Sequence, residues 1–107
     1  MNTKYKLRYL PLFYEDVDEK VSYIRDELKN PKAANDLIDA VEEAILKRLP
    51  VCESFEPYRS SKKRKYPYYR IYVRNFTIYY VVIDEGNNKI MEVRRFLYNK
   101  QNRNKII

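Results

Sequence analysis

Apolar residues in the first half of the chain recur at helical spacing in two segments, 12–29 and 31–49. Within each segment they lie three or four positions apart, which places them on one stripe of an amphipathic helix. Between the segments, Asn30 is a favourable N-cap and Pro31 suits the first helical position. The stripes predicted to be buried are Phe13, Val17, Val21, Ile24 and Leu28, followed by Ala34, Leu37, Ile38, Val41, Ile45 and Leu49.

Strands are predicted on both sides of this helical region. Residues 4–10 alternate between apolar and polar side chains and end at Pro11. Turns are expected near Asn75 and at 85–88, so the strands that they connect form an antiparallel meander. The short connection between the helices favours an antiparallel helical hairpin. The three later strands are predicted over 68–74, 76–83 and 89–98.

The element order β-α-α-β-β-β predicts a single α+β domain over residues 1–107, with an antiparallel sheet covered on one face by the helical hairpin. Strand alternation then points Ile71 and Val73 towards the helices and leaves the opposite face open. Arg94 and Arg95 are adjacent, so they should point in opposite directions. The residues predicted on the open face are Tyr68, Arg70, Tyr72, Arg74, Thr77 and Tyr79.

Charge is divided unevenly along the chain. Residues 1–56 carry 9 Lys and Arg against 12 Asp and Glu, whereas residues 57–107 carry 13 against 3. The second half also holds 8 of the 12 tyrosines. A basic, tyrosine-rich sheet indicates a surface that meets a polyanion, either nucleic acid or an acidic protein.

Several classes of chemistry are excluded by composition. The chain has no histidine, one cysteine (Cys52) and one glycine (Gly86), so neither a zinc site nor a glycine-rich phosphate loop is expected. A lone cysteine cannot form an internal disulfide and fits a reducing cytoplasm. The sequence also has no signal peptide and no apolar stretch long enough to span a membrane. We therefore expect a cytoplasmic protein without metal, cofactor or membrane partner.

Three stretches together resemble the RelE/ParE superfamily, the toxin halves of bacterial type II toxin–antitoxin modules. They are NPKAANDLIDAVEEAILKRLP at 30–50, YYRIYVRNFTIYYVVID at 68–84 and VRRFLYNKQN at 93–102. The first stretch is similar to the opening of the second helix in the ParE-like branch. The resemblance implies growth inhibition, plasmid stabilisation and neutralisation by a cognate antitoxin.

The family divides by mechanism, and the resemblance leaves both branches open. ParE-like toxins inhibit DNA gyrase, whereas RelE-like toxins are ribosome-dependent mRNA endoribonucleases (mRNA interferases) that use no metal. In either case the resemblance implies an acidic antitoxin that binds through an extended or helical segment. A dimer, or a heterotetramer with the antitoxin, is the expected assembly.

The nuclease alternative assigns catalysis to Arg70 and Tyr98. By resemblance, Arg70 matches a basic residue that contacts phosphate, and Tyr98 matches the His or Tyr of the closing motif. Tyr72 stands where a second lysine is expected. Hydroxyl-initiated RNA cleavage needs a base, an acid and charge stabilisation at the phosphate, which Lys, Arg and Tyr can supply.

Departures from the nuclease pattern favour the ParE-like branch. Thr77 stands where a phosphate-clamping arginine is expected, Asn99 replaces a glycine and Gln101 replaces an arginine. A threonine cannot stabilise a phosphorane as a guanidinium does. The residues expected to contact phosphate or the target are Arg70, Tyr72, Arg74, Arg94, Lys100, Lys62, Lys63, Arg64 and Lys65.

Less specialised interpretations stay open for the same residues. Arg70 could pair with Glu92 or another acid on a neighbouring strand, and Tyr72 and Tyr79 could serve cross-strand packing. A third function is a non-toxic nucleic-acid-binding domain in which bases stack on Tyr72 and Tyr79.

Overall fold

The computed structural model describes residues 4–58 and 65–100. Its element order confirms the predicted β-α-α-β-β-β succession. A π-helical turn, Tyr23–Glu27, continues the first helix, and a 3-10 turn, Leu49–Val51, follows the second. The elements are β1 Tyr5–Tyr9, α1 Pro11–Ser22, α2 Pro31–Arg48, β2 Tyr69–Val73, β3 Phe76–Glu85 and β4 Asn88–Tyr98.

The sheet is mixed, with strand order β1-β4-β3-β2. β3 runs antiparallel to β2 and β4, as predicted, but β1 pairs with β4 in parallel, so the prediction of an antiparallel sheet is wrong for this strand. The reason is topological. Two hairpin turns give β4 the direction of β2, and the helical hairpin returns the chain to the end of the sheet at which β1 began. β1 can therefore join β4 only in parallel, through a long crossover.

The helical hairpin covers one face of the sheet and buries most of the predicted stripes. Asn30 caps α2, because its side chain accepts a hydrogen bond from the Ala33 N–H at 3.1 Å. The buried core on this helix-covered face consists of Phe13, Val21, Ala34, Leu37, Val41, Ile45, Cys52, Ile71, Val73, Ile78, Tyr80, Met91, Val93 and Phe96.

Two apolar positions depart from the predicted stripes. Leu28 is 57% exposed, because its N–H bonds to the Tyr23 carbonyl five residues back and this wide turn rotates the side chain out of the stripe. Ile38 is also exposed, at the edge of the stripe on α2. Both residues were predicted to be buried.

A buried ion pair attaches α1 to β4. The Asp16 carboxylate accepts hydrogen bonds from Arg95 Nε at 2.7 Å, from Arg95 Nη2 at 3.0 Å and from the Phe96 N–H at 3.0 Å. A register shift in the β3–β4 pairing lets Arg95 reach α1, while Arg94 pairs with Glu92. The two arginines therefore have different partners, Asp16 on α1 for Arg95 and Glu92 on β4 for Arg94.

A second polar contact closes the core near the end of α2. The Tyr80 hydroxyl donates to the Cys52 carbonyl at 2.7 Å and accepts from Arg48 Nη1 at 3.0 Å. Burial raises the pKa of Tyr80 to about 12, against the opposing effect of Arg48. Burial likewise raises the pKa of Cys52 to about 11, which keeps this thiol protonated and unreactive at neutral pH.

Among the described helices, none combines the length and apolar character that crossing a membrane requires.

Candidate functional site on the reverse face

The reverse face, meaning the side of the sheet turned away from the helices, has a buried centre. Tyr79 and Val81 are fully buried and Leu97 nearly so, in a second cluster against which Tyr58 and Tyr66 pack. The predicted open face is therefore wrong for its centre. The signal was present in the sequence, because the almost continuous apolar run 76–83 is typical of a strand buried on both faces.

Three residues predicted to be available on this face, Tyr68, Thr77 and Tyr79, are thus removed from solvent. The Tyr79 ring packs edge-on against Tyr58 at 6.0 Å and Tyr68 at 6.1 Å between centroids. Thr77 is also fully buried, and its Oγ1 donates to Asn99 Oδ1 at 2.6 Å. Tyr79 cannot stack on a base, and Thr77 cannot contact a phosphate in this arrangement. The alternative of cross-strand packing is confirmed for Tyr79.

Arg70 lies at the rim of the reverse face between two aromatic rings. Its guanidinium carbon is 4.8 Å from the Tyr58 centroid and 5.6 Å from that of Tyr72, which is itself 61% exposed. Within residues 4–58 and 65–100, no carboxylate lies at ion-pair distance from Arg70. The alternative pairing with Glu92 is wrong, since other arginines occupy that carboxylate. The tyrosines hold the cation without neutralising it.

A second cationic group lies across the sheet, where β1 meets β4. Glu92 is 5% exposed, and its Oε2 accepts from Arg8 Nε at 2.8 Å and lies 2.6 Å from Arg8 Nη2. Its Oε1 accepts from Arg94 Nε at 2.8 Å. Burial opposes the charge on Arg94, but hydrogen bonds to Tyr68 and Glu92 outweigh it and raise the pKa of Arg94.

Arg8 was not predicted as a site residue, and Glu92 was predicted only as a possible partner of Arg70. Arg8 lies directly opposite Glu92 only because β1 and β4 pair in parallel. These residues are 84 positions apart, and no periodic pattern of either strand indicates that register.

Arg74 lies in the turn between β2 and β3. Together with Arg8, Arg70 and Arg94 it forms what we call the cationic rim of the reverse face. Arg74 is exposed and adopts a φ of 54°, a left-handed conformation that costs energy for a residue with a Cβ atom. The Asn99 N–H donates to the Asn75 carbonyl at 2.9 Å and extends the β3–β4 pairing past Tyr98 to this turn.

The remaining candidate cations are more dispersed. Lys100 is exposed just after β4, and Lys65 is exposed with its Nζ 5.4 Å from the Tyr66 ring centroid. Lys62, Lys63 and Arg64 lie outside the described residues.

The two residues assigned to catalysis do not share a face. Arg70 pairs with Tyr79 on the reverse face, whereas Tyr98 pairs with Phe76 on the helix-covered face. The Tyr98 ring lies 5.6 Å from that of Phe76. The strand register therefore separates Arg70 from Tyr98 instead of directing both at one phosphate.

An apolar groove lies on the other side of the molecule, between α1 and α2. Its lining includes Phe13, Val41 and Ile45 at the bottom, with exposed Tyr14 and Leu46 at the rim. In the part of the chain that the structure describes, no group of acidic or cysteine side chains could hold a metal ion. Among the described residues, the cationic rim and this groove are two surfaces that a partner could contact.

No protein-family model matches the chain, and no curated protein matches it significantly. Function has to be inferred from the residues and their geometry.

Proposed function

We propose that this protein is the toxin of a bacterial type II toxin–antitoxin module and inhibits growth by binding DNA gyrase, as ParE-like toxins do. The observation that carries the proposal is Arg70, a guanidinium held between Tyr58 and Tyr72 with no carboxylate partner among the described residues. Arginine and tyrosine are among the residue types enriched where proteins bind one another tightly. The α+β architecture is compatible with the family resemblance.

The charge distribution supports an acidic antitoxin as the second partner. The rim formed by Arg8, Arg70, Arg74 and Arg94 would attract an acidic segment and accelerate its association. The groove between α1 and α2 could receive apolar side chains of the same antitoxin, since an exposed apolar groove is a common docking surface for a helix.

The RelE-like alternative, an mRNA endoribonuclease, receives less support from the geometry. It needs Arg70 and Tyr98 at one phosphate, and the register turns them to opposite faces. It also needs a cation where Thr77 is buried. A nucleic-acid-binding domain that stacks bases on Tyr72 and Tyr79 loses one of its two platforms, because Tyr79 is fully buried.

Induction of the chain in a bacterial host tests the proposal. We expect growth arrest, a DNA-damage response and intact mRNA by primer extension, with growth restored by an acidic protein encoded next to the toxin. Codon-linked cuts in mRNA would instead establish the endoribonuclease. Normal growth at high expression would reject both toxin functions and leave the non-toxic binding domain.

A further inference from the structure

In the group formed by Arg8, Glu92 and Arg94, the single carboxylate neutralises only part of the positive charge of the two arginines. One buried carboxylate lies between two guanidinium groups, so the three side chains have a net charge of about +1. The Arg8 side chain is 44% exposed and that of Arg94 is 27% exposed, whereas that of Glu92 is 6% exposed. The carboxylate lies beneath the two arginines, and the charge open to solvent is positive.

Hydrogen-bonding capacity remains on the solvent side. A guanidinium has five N–H donors in a fixed plane. Arg8 directs its Nε and Nη2 at Glu92, which leaves its Nη1 hydrogens for an external acceptor. Glu92 holds Arg8 through Nε and Nη2, and Arg94 is held by its hydrogen bonds to Glu92 and Tyr68, so both guanidinium groups are preorganised and lose little side-chain entropy on binding.

We propose that Arg8 and Arg94 form a binding site for a backbone phosphate of duplex DNA, and that Glu92 is the positioning residue that orients them. A phosphate has enough acceptor oxygens to bridge two guanidinium groups. Lys6 lies on the same side of β1 as Arg8 and is exposed, so it extends the positive row along this strand. This site goes beyond the proposed function, because it binds DNA whether or not gyrase is present.

Duplex DNA fits this surface better than a single strand does. Binding of single strands relies on aromatic platforms for unpaired bases, and near this site Tyr68 and Tyr79 are buried. A duplex presents its phosphates and keeps its bases stacked, so contacts to the backbone suffice.

Glu92→Gln gives the sharpest test, because a positioning role and simple electrostatics predict changes in DNA affinity of opposite sign. If Glu92 only contributed negative charge, its neutralisation would strengthen binding to a polyanion. Loss of the positioning carboxylate should instead weaken binding of a short duplex oligonucleotide roughly tenfold. Glu85→Gln is the matched control, since Glu85 is an exposed glutamate near the end of β3, and its neutralisation should leave affinity equal or slightly higher.

The binding assay is fluorescence anisotropy across a range of salt concentrations, with circular dichroism to verify folding. Log affinity falls as log salt concentration rises, and Arg8→Ala should make this negative slope shallower by about one, which corresponds to one lost phosphate contact. Arg8→Lys and Arg94→Lys keep the charge but lose the planar fork, so each should also weaken binding. These two variants decide the question if Glu92→Gln does not fold.

Several outcomes would overturn the site. They are absence of duplex binding, binding of a single strand alone, affinity of Glu92→Gln at or above that of the unmodified protein, or unchanged affinity in both lysine variants. Binding of inorganic phosphate at millimolar concentration, without binding of the duplex, would assign the site to free phosphate and also contradict the proposal. Gyrase inhibition is measured separately, so failure here does not decide the proposed function.

Discussion

Arg70 and Tyr98 lie on opposite faces of the sheet. Arg70 opposes Tyr79, and Tyr98 opposes Phe76; because Phe76 and Tyr79 are three positions apart on β3, their side chains point in opposite directions. One residue therefore belongs to the solvent-facing cationic rim and the other to the edge of the core beneath the helices. A function that depends on Arg70 does not need Tyr98.

This separation predicts different results for two substitutions. Arg70→Ala should abolish growth inhibition, because it removes the cation held between the two tyrosines. Tyr98→Phe keeps the ring against Phe76 and should keep the toxicity. Arg25→Ala is the control, since Arg25 is an exposed arginine on the helical hairpin and makes local hydrogen bonds to Asp26 and Ser22. Viable counts after induction measure all three, and loss of toxicity in Tyr98→Phe would restore the nuclease alternative.

The ion pair between α1 and β4 gives a prediction for stability. Asp16→Ala removes a buried carboxylate and leaves Arg95 and the Phe96 N–H without their acceptor, which should lower the free energy of unfolding by about 2–4 kcal/mol. Asp18→Ala, at an exposed position on the same helix, should change it by less than about 0.5 kcal/mol. Urea unfolding measures both, and equal midpoints would show that the ion pair contributes nothing.

Tyr80 predicts a loss of stability in alkali. Burial raises the pKa of its hydroxyl from its ordinary value near 10 to about 12, so the unfolded chain releases this proton first as the pH rises. The stabilisation is complete below pH 10 and is lost between pH 10 and 12, at up to about 1.4 kcal/mol per pH unit. Tyr80→Phe should be less stable at neutral pH, through loss of its hydrogen bonds, but should show a shallower decline above pH 10. If the free energy of unfolding fell equally steeply with pH in the two proteins, Tyr80 would not be the source of the alkaline loss of stability.

The left-handed conformation of Arg74 predicts that stability and function oppose each other. Arg74→Gly should raise the free energy of unfolding by roughly 1 kcal/mol, because glycine adopts a φ of 54° without strain. The same change removes a rim cation and should weaken growth inhibition. Asn75→Gly, beside it in the turn but without a left-handed φ, should destabilise by up to about 1 kcal/mol. Thermal melts and growth assays check both variants, and a lower melting temperature for Arg74→Gly would contradict the account.

Local patterns predicted much of the fold. The Asn30-Pro31 break, both helices and the three strands of the meander follow from spacing and turn residues within short windows of sequence. The parallel pairing of β1 could not be predicted in this way, because a crossover through two helices leaves no local trace. Leu28 was misplaced for a different reason, since a π-helical turn breaks the regular helical period.

The candidate site was predicted only in part. The face of Arg70 and Tyr72 followed from alternation. The burial of Tyr79 depends instead on Tyr58 and Tyr66, which precede β2 in the chain and pack against its cluster. The group at Glu92 depends on contacts across the sheet between distant parts of the chain. Side-chain direction is thus a property of the strand, whereas exposure is a property of what packs against it.

Gyrase supercoiling in the presence of the purified protein tests the central claim most directly. Relaxed plasmid, gyrase and ATP are combined with increasing amounts of the unmodified protein or of Arg70→Ala. We predict that the unmodified protein inhibits supercoiling in proportion to its concentration and that Arg70→Ala does not. Full supercoiling at high molar excess of the unmodified protein, or equal inhibition by Arg70→Ala, would contradict the assignment of gyrase binding to the cationic rim.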